Sequence, residues 1–119
     1  MQREQLEIHP APLGDVPGLA LAGEIDIAVA EHLRVVLDEG IRESTGAYVV
    51  DLTDVEFLDS SGVSVFVRAR ALLGRDERDL VVICPPGPAH RIFEVAGILD
   101  LLVPFASRDE AAAALVPAD

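Results

Sequence analysis

The residues best suited to chemistry lie in the segment FLDSSGV, residues 57–63. Asp59, Ser60 and Ser61 are residue types preferred at the start of a helix, because their side-chain oxygens accept hydrogen bonds from the free amides of the first turn. The positive end of a helix also stabilises an anion, so a hydroxyl placed there can carry a phosphate. The segment therefore predicts either a simple helix cap or a phosphorylation site, with both serines within reach.

Two enzymatic interpretations of the chain lack essential groups. A hydrolase elbow requires G-x-S-x-G after a strand, and this chain has D-S-S-G without the first glycine. A phosphoacceptor-aspartate receiver, with Asp51 after the run YVV, requires a lysine to hold the phosphoryl group, and the sequence contains no lysine. A single cysteine, Cys84, excludes both an intramolecular disulfide and a zinc site built around several thiolates. We therefore expect no enzyme, no metal and no cofactor.

The charge of the chain restricts its partners. Acidic residues number 21 against nine basic ones, all arginine, and the formal net charge is −12. Nucleic acids and anionic lipids are bound by neutralising phosphates, so an acidic surface repels both. The first ten residues carry charge where a signal peptide is apolar, and no apolar run approaches the ~20 residues that span a bilayer. We expect a cytoplasmic protein that contacts neither nucleic acid nor membrane.

The apolar composition indicates one domain, residues 1–119, with an aliphatic core. Half of the residues are apolar, but only 4% are aromatic. A chain of this length buries enough surface to fold without disulfides or metals. Cys84 ends the apolar run LVVIC and is expected to be a buried small hydrophobic residue rather than a reactive thiol.

Changes in apolar periodicity along the chain predict five strands and four helices. The strands are residues 5–11, 19–25, 47–52, 79–84 and 101–105, and the helices are residues 28–44, 63–76, 90–96 and 109–115. Asp26 and Ser107 are expected to cap the helices that follow them, and Gly97 is expected to end the third helix.

The order of these elements predicts an α/β sandwich. Strands and helices alternate after an initial hairpin, which indicates a mixed, mostly parallel sheet of four to five strands covered by four helices in a single domain. The run VSVFV, residues 63–67, has strand propensity. The Asp-Ser-Ser cap signal before it and the continuation RARALL after it favour a helix.

Four motifs in order resemble one known family: G-E-I-D at residues 23–26, V-V-D-L at 49–52, F-L-D-S-S-G-V at 57–63 and R-I-F-E-V-A-G-I at 91–98. Over residues 18–115 the chain resembles a STAS domain of the anti-sigma factor antagonist (anti-anti-sigma factor) type. The resemblance implies partner switching. The unphosphorylated antagonist binds an anti-sigma factor, which is also a serine kinase with a Bergerat-type ATP site, and this binding frees a sigma factor. The kinase phosphorylates the antagonist, and a serine phosphatase restores it.

The resemblance also assigns residues. The acceptor is the serine directly after the motif aspartate, which is Ser60, with Ser61 as the neighbouring alternative. The expected partner-binding residues are Asp26, Leu58, Asp59, Ser60, Ser61, Gly62 and Val63. The nearest arginine, Arg68, lies outside the motif, so a phosphate is expected to block docking through its charge and not to reshape the domain.

The same fold admits another function. Some STAS domains are stand-alone binding modules that partner an ABC-transporter ATPase or a stress-signalling scaffold. The serine beside the aspartate in D-S-S-G favours the switching antagonist, and the absence of a transmembrane run argues against a fused transporter.

Overall fold

The computed structural model describes residues 5–115, which form a four-stranded sheet and four helices. The strand order is β1-β2-β3-β4; β1 is antiparallel to β2, and β2, β3 and β4 are parallel. This mixed, mostly parallel sheet with four helices confirms the predicted α/β class. The strands are β1 (Leu6–Pro10), β2 (Gly18–Ile25), β3 (Tyr48–Leu58) and β4 (Leu80–Ile83), and the helices are α1 (Ile27–Arg42), α2 (Ser60–Gly74), α3 (Pro88–Val95) and α4 (Arg108–Leu115).

The sheet separates two apolar clusters of unequal size. Alternate residues of β3 point to opposite faces, so Val50 and Leu52 join the large cluster while Val49 joins the small one. Helices α1, α2 and α3 contribute to the large cluster, and α4 covers the small one through Ala111. The helices that begin at the carboxyl ends of β2 and β3 therefore pack together on one face of the sheet.

Two predicted boundaries next to the D-S-S-G segment were wrong. Strand β3 runs to Leu58, six residues beyond its predicted end, because its second half continues to pair with β2 through two register shifts. Helix α2 begins at Ser60 and not near Val63, because Asp59 caps it. No loop residues separate β3 from α2 except the cap itself.

The predicted fifth strand, residues 101–105, is not formed. Only Phe105 pairs with the sheet, in a single parallel bridge to Ile83. The Phe105 amide donates to the Val82 carbonyl at 2.8 Å, and the Cys84 amide donates to the Phe105 carbonyl at 2.8 Å. Pro104, just before this bridge, has no amide hydrogen to extend the ladder.

The core is mainly aliphatic, as expected, but its two largest fully buried side chains are aromatic. Phe66 of α2 and Phe93 of α3 meet edge to face, with ring centroids 6.4 Å apart. Cys84 is buried, as predicted. Within residues 5–115, no helix has the length and apolarity needed to cross a bilayer.

The predicted helix ends at Gly97 and Ser107 are confirmed. Gly97 follows α3 with a φ of +72°, a conformation that glycine adopts without strain. The Ser107 hydroxyl accepts a hydrogen bond from the Glu110 amide at 3.1 Å and so caps α4.

Candidate functional site

The site lies where the parallel strands β2 and β3 end side by side. Ile25, the last residue of β2, pairs with Leu58, the last residue of β3. The Asp59 amide donates to the Ile25 carbonyl at 3.1 Å, which fixes the two strand ends together. Because each strand is followed by an aspartate and then a helix, Asp26 and Asp59 are neighbours at the carboxyl edge of the sheet.

Asp26 caps helix α1, as its sequence position predicted. Its Oδ1 accepts a hydrogen bond from the Ala28 amide at 2.9 Å, and its carbonyl oxygen accepts one from the Ala30 amide at 3.0 Å. The Asp26 side chain is half-buried, so its carboxylate caps the helix and is still partly accessible to solvent.

Asp59 caps helix α2 with more bonds than Asp26 makes. Its Oδ1 accepts hydrogen bonds from the Ser61 amide at 2.9 Å, from the Gly62 amide at 3.3 Å and from the Ser61 hydroxyl. The Ser61 hydroxyl is the main reason that the pKa of the Asp59 carboxyl lies below its ordinary value; burial opposes the shift, and the amides of Gly62, Ser61 and Ile27 reinforce it. The carboxylate therefore contacts the first turn of both helices.

The structure distinguishes the two serines that the sequence left open. Ser60 is the first residue of α2 and is exposed. Among residues 5–115, the Ser60 hydroxyl has no hydrogen-bond partner, whereas the Ser61 hydroxyl donates to Asp59. Both serines and the aspartate thus lie together as predicted, but only Ser60 presents a free hydroxyl to solvent.

Three residues expected to contact a partner are buried under the turn. Leu58 and Val63 belong to the large apolar cluster, and Gly62 is buried between them. A Cβ added to Gly62 would lie 2.3 Å from Leu58 Cδ1 and 2.7 Å from Ile25 Cγ2, closer than real Cβ atoms approach. The side chains of Leu58 and Val63 therefore support the turn from below, and none of the three residues is exposed contact surface.

Two exposed apolar side chains instead lie at the carboxyl edge of the sheet, where α1 and α2 begin. Ile27, the first residue of α1, is 81% exposed, and Phe57, the residue before Leu58, is 47% exposed. Phe57 begins the motif that the sequence singled out, but Ile27 was missed, because its place at this edge depends on the pairing of β2 with β3. Exposed apolar surface bordered by polar residues is typical of interaction sites.

Acidic side chains crowd the same edge of the sheet. Glu24, Asp26 and Glu56 line a shallow cavity of about 340 Å³, together with Gln5, Glu7, Ala22 and Gly23. In the part of the chain that the structure describes, this and other acidic groups do not form a cluster suited to a metal ion. The cavity adds negative charge next to a turn that already carries Asp59.

Two buried carboxylates away from the turn hold elements together. Asp38 of α1 accepts hydrogen bonds from Arg34 at 3.0 Å and from Arg68 of α2 at 2.6 Å. Asp51 of β3 accepts one from Arg108 of α4 at 3.0 Å. Sequence reasoning missed both ties; the spacing of Arg34 and Asp38, four residues apart on one helix, was the one local signal.

Comparison with known proteins places this geometry in a family. A family model described as "Mlab, STAS domain" matches residues 9–104. A curated anti-sigma-B factor antagonist of Staphylococcus aureus is 28% identical over 82 residues, which are 69% of this chain and 76% of the relative. One of Staphylococcus epidermidis is 27% identical over 97 residues, 82% of this chain and 90% of the relative.

Solved structures share the fold. The crystal structure of an anti-sigma factor antagonist from Mycobacterium paratuberculosis superposes with a TM-score of 0.85 at 24% identity, covering 94% of this chain and 95% of that one. The structure of the anti-sigma factor antagonist SpoIIAA in its unphosphorylated form superposes with a TM-score of 0.73 at 15% identity, covering 96% and 99%. With the match over residues 9–104, this shows that the chain belongs to the STAS domain family.

Proposed function

We propose that this STAS protein is an anti-sigma factor antagonist whose binding is controlled by phosphorylation of Ser60. In its unphosphorylated form it binds an anti-sigma factor in the cytoplasm and thereby releases a sigma factor. It acts by binding and not by catalysis. Curated relatives with the name anti-sigma-B factor antagonist support the proposal, as do structural neighbours described as anti-sigma factor antagonists.

The observation that carries the proposal is the contrast between the two serine hydroxyls. A kinase needs an acceptor oxygen that it can reach and deprotonate. The Ser60 hydroxyl is exposed and free among the described residues, while the Ser61 hydroxyl is held by the Asp59 carboxylate. Ser60 is therefore the acceptor, and Ser61 serves to fix the cap. The proposed kinase is the anti-sigma factor itself, with a Bergerat-type ATP site, and a serine phosphatase removes the phosphate.

The proposed docking surface consists of Ile27, Phe57 and Ser60, with Asp26 at its border. The two apolar side chains are exposed here and would become buried against the partner. Burial of apolar surface contributes roughly 25 cal/mol per Å², and aromatic residues often dominate such contacts. The buried residues Leu58 and Val63 anchor the turn that carries Ser60 in the core, so we expect docking to order mainly the exposed side chains themselves.

A phosphate on Ser60 would oppose docking through its charge. It adds about −1.5 to −2 charges beside Asp59, in a chain that already has a net charge of −12. Unless the partner supplies a cation, the phosphate would be buried without a counter-charge, at a cost of several kcal/mol. A penalty of about 4 kcal/mol would weaken binding about a thousandfold.

Mass spectrometry and affinity capture in the native host test this proposal. Intact-mass and peptide analysis should find a fraction of the protein with one phosphate on Ser60. The Ser60→Ala variant should capture an ATP-binding anti-sigma factor, and the Ser60→Asp variant should not. Ser61→Ala is the matched control, because it removes the neighbouring hydroxyl and should leave phosphorylation on Ser60. A phosphate on Ser61, or none under any growth condition, would refute the assignment.

The matching family model supports a second candidate function, because it is described as "Mlab, STAS domain" and not as a sigma regulator. In that case the protein would be a stand-alone binding module for another system, such as an ABC-transporter ATPase or a stress-signalling scaffold. The same capture experiment separates the two functions. An ATPase of a transporter, retained equally by Ser60→Ala and Ser60→Asp, would support the second function.

A further inference from the structure

We propose that Asp59 is a positioning residue for the regulatory phosphate. By occupying the Ser61 and Gly62 amides in the first turn of α2, it keeps a phosphoryl group on Ser60 from binding these amides and directs that group towards the docking partner. This inference rests on the proposed function and names how the same site is regulated. It gives Asp59 an internal role in place of the partner contact that the sequence suggested.

The hydrogen bonds of the first turn carry the argument. The amides of Ser61 and Gly62 donate to Asp59 Oδ1 at 2.9 and 3.3 Å, and the Val63 amide donates to the Asp59 carbonyl oxygen at 3.1 Å. Free amides at a helix start are the groups that normally bind a phosphate. Here the Asp59 carboxylate already holds the Ser61 and Gly62 amides, and a phosphate would have to displace it to reach these two amides.

The side chains around the turn offer no other anchor. The Ser61 hydroxyl donates to Asp59, and the Ser64 hydroxyl donates to the Ser60 carbonyl oxygen at 2.9 Å. In the described part of the chain, Asp59 makes no salt bridge, and Arg68 is bound to Asp38. The charged groups that line the neighbouring cavity are all carboxylates: Glu7, Glu24, Asp26 and Glu56. A phosphate on Ser60 therefore meets only like charges from its own chain and points outward.

The low pKa of Asp59 supports the same conclusion. A carboxyl group whose pKa lies below its ordinary value stays ionised at neutral pH. The carboxylate next to Ser60 would then disfavour the second ionisation of the phosphate, whose pKa is about 6 in free phosphoserine. The second pKa of the phosphate therefore measures its interaction with the Asp59 carboxylate, and this measurement does not require the kinase to be known.

The test uses phosphoserine incorporated biosynthetically at position 60 of the full chain. Phosphorus NMR then gives the second pKa of the phosphate, and amide NMR follows Ser61 and Gly62 through the same titration. In the wild type we expect a phosphate pKa above that of free phosphoserine and amide signals that do not follow the phosphate. In Asp59→Ala we expect the phosphate pKa to fall by about one unit relative to the wild type, because the phosphate takes over the vacated amides.

Thermal unfolding gives an independent measurement of whether the phosphate replaces the residue 59 carboxylate on the first-turn amides. Phosphorylation should raise the melting temperature of Asp59→Ala by several degrees and leave that of the wild type unchanged or lower. Ser107→Ala is the matched control, since it removes the cap of α4, far from Ser60 in sequence. Its melting temperature should respond to the phosphate as the wild type does. If Asp59 served only to support the helix, phosphorylation of Ser60 would change the melting temperature of the wild type and of Asp59→Ala by the same amount.

The Asp59→Asn variant separates the effect of the charge of residue 59 from the effect of its hydrogen bonds to the Ser61 and Gly62 amides. It should also be more stable than Asp59→Ala, because asparagine is a good N-cap. Its phosphate pKa should fall towards the free value while the two amides stay occupied. Wild-type amides that follow the phosphate titration, or an equal phosphate pKa in the wild type and Asp59→Asn, would overturn the inference. Since the phosphate is installed without a kinase, these results are independent of whether the host phosphorylates Ser60.

Discussion

Replacement of Gly62 by alanine tests how tightly the first turn of α2 is packed onto the sheet. The added Cβ would approach Leu58 Cδ1 to 2.3 Å and Ile25 Cγ2 to 2.7 Å. Both side chains are fully buried, so neither can move without displacing its own neighbours. Overpacking of a core costs typically 1–3 kcal/mol, and alanine recovers about 1 kcal/mol of helix propensity relative to glycine. We expect a net loss of up to about 2 kcal/mol in the free energy of unfolding.

The matched control is Gly74→Ala, at the other end of the same helix. Nothing lies within 4 Å of a Cβ added there. Alanine should therefore stabilise the protein by about 0.5–1 kcal/mol through propensity alone. Thermal and urea unfolding of both variants measure the contrast. With roughly 4 °C per kcal/mol for a domain of this size, Gly62→Ala should lower the melting temperature by up to about 8 °C, whereas Gly74→Ala should raise it by a few degrees.

The reasoning fails if Gly62→Ala stabilises the protein as Gly74→Ala does. That result would mean that the turn has room above Leu58 and Ile25, and that the position of Ser60 is not fixed by packing. Amide NMR of Ser61 distinguishes a local shift from general loosening, because a displaced first turn weakens its bond to Asp59.

Three further predictions concern groups outside the turn. Burial, reinforced by the charge of Asp51, raises the pKa of the Cys84 thiol to about 11. At pH 8 the thiol of the native protein should therefore react with a disulfide reagent about a hundredfold more slowly than the thiol of the protein unfolded in urea. Equal rates would contradict this prediction. Asp51→Asn should cost about 1–3 kcal/mol in urea unfolding, because it breaks the bond of a buried carboxylate to the partly exposed Arg108; an unchanged stability would refute it. A double-mutant cycle of Asp38→Asn and Arg68→Met should give a coupling of about 0.5–1 kcal/mol, modest because Arg68 is 48% exposed; additive effects would show that the pair contributes nothing.

Local signals made the helix starts predictable from the sequence. Asp26 and Ser107 were identified as caps because cap preference depends on residues within one turn of each other. Asp59 was one of three cap candidates, and only the observed bonds to Ser61 and Gly62 selected it.

Features that depend on a distant partner were not predictable. The second half of β3 does not alternate regularly between buried and exposed residues: Val55 and Leu58 are buried, three positions apart. This spacing follows from the register shifts against β2, which no local pattern encodes. The apolar run at 101–105 was wrongly predicted to be a strand. Its apolar residues alone do not show that only Phe105 pairs with β4. The tie from Asp38 to Arg68 joins residues 30 positions apart.

The two helix starts at the site have the same arrangement of a buried strand residue and a capping aspartate, and they differ in the exposed residue that follows. In each, a fully buried strand residue is followed by a capping aspartate whose Oδ1 accepts an amide hydrogen at 2.9 Å: Ile25 with Asp26, and Leu58 with Asp59. The first helical residue then points to solvent, and it is an isoleucine in α1 and a serine in α2. Because the strand residue and the cap carry the stability, the exposed residue can change its chemistry without disturbing the fold. A phosphate on the serine would therefore alter what a partner meets while leaving the scaffold beneath it unchanged.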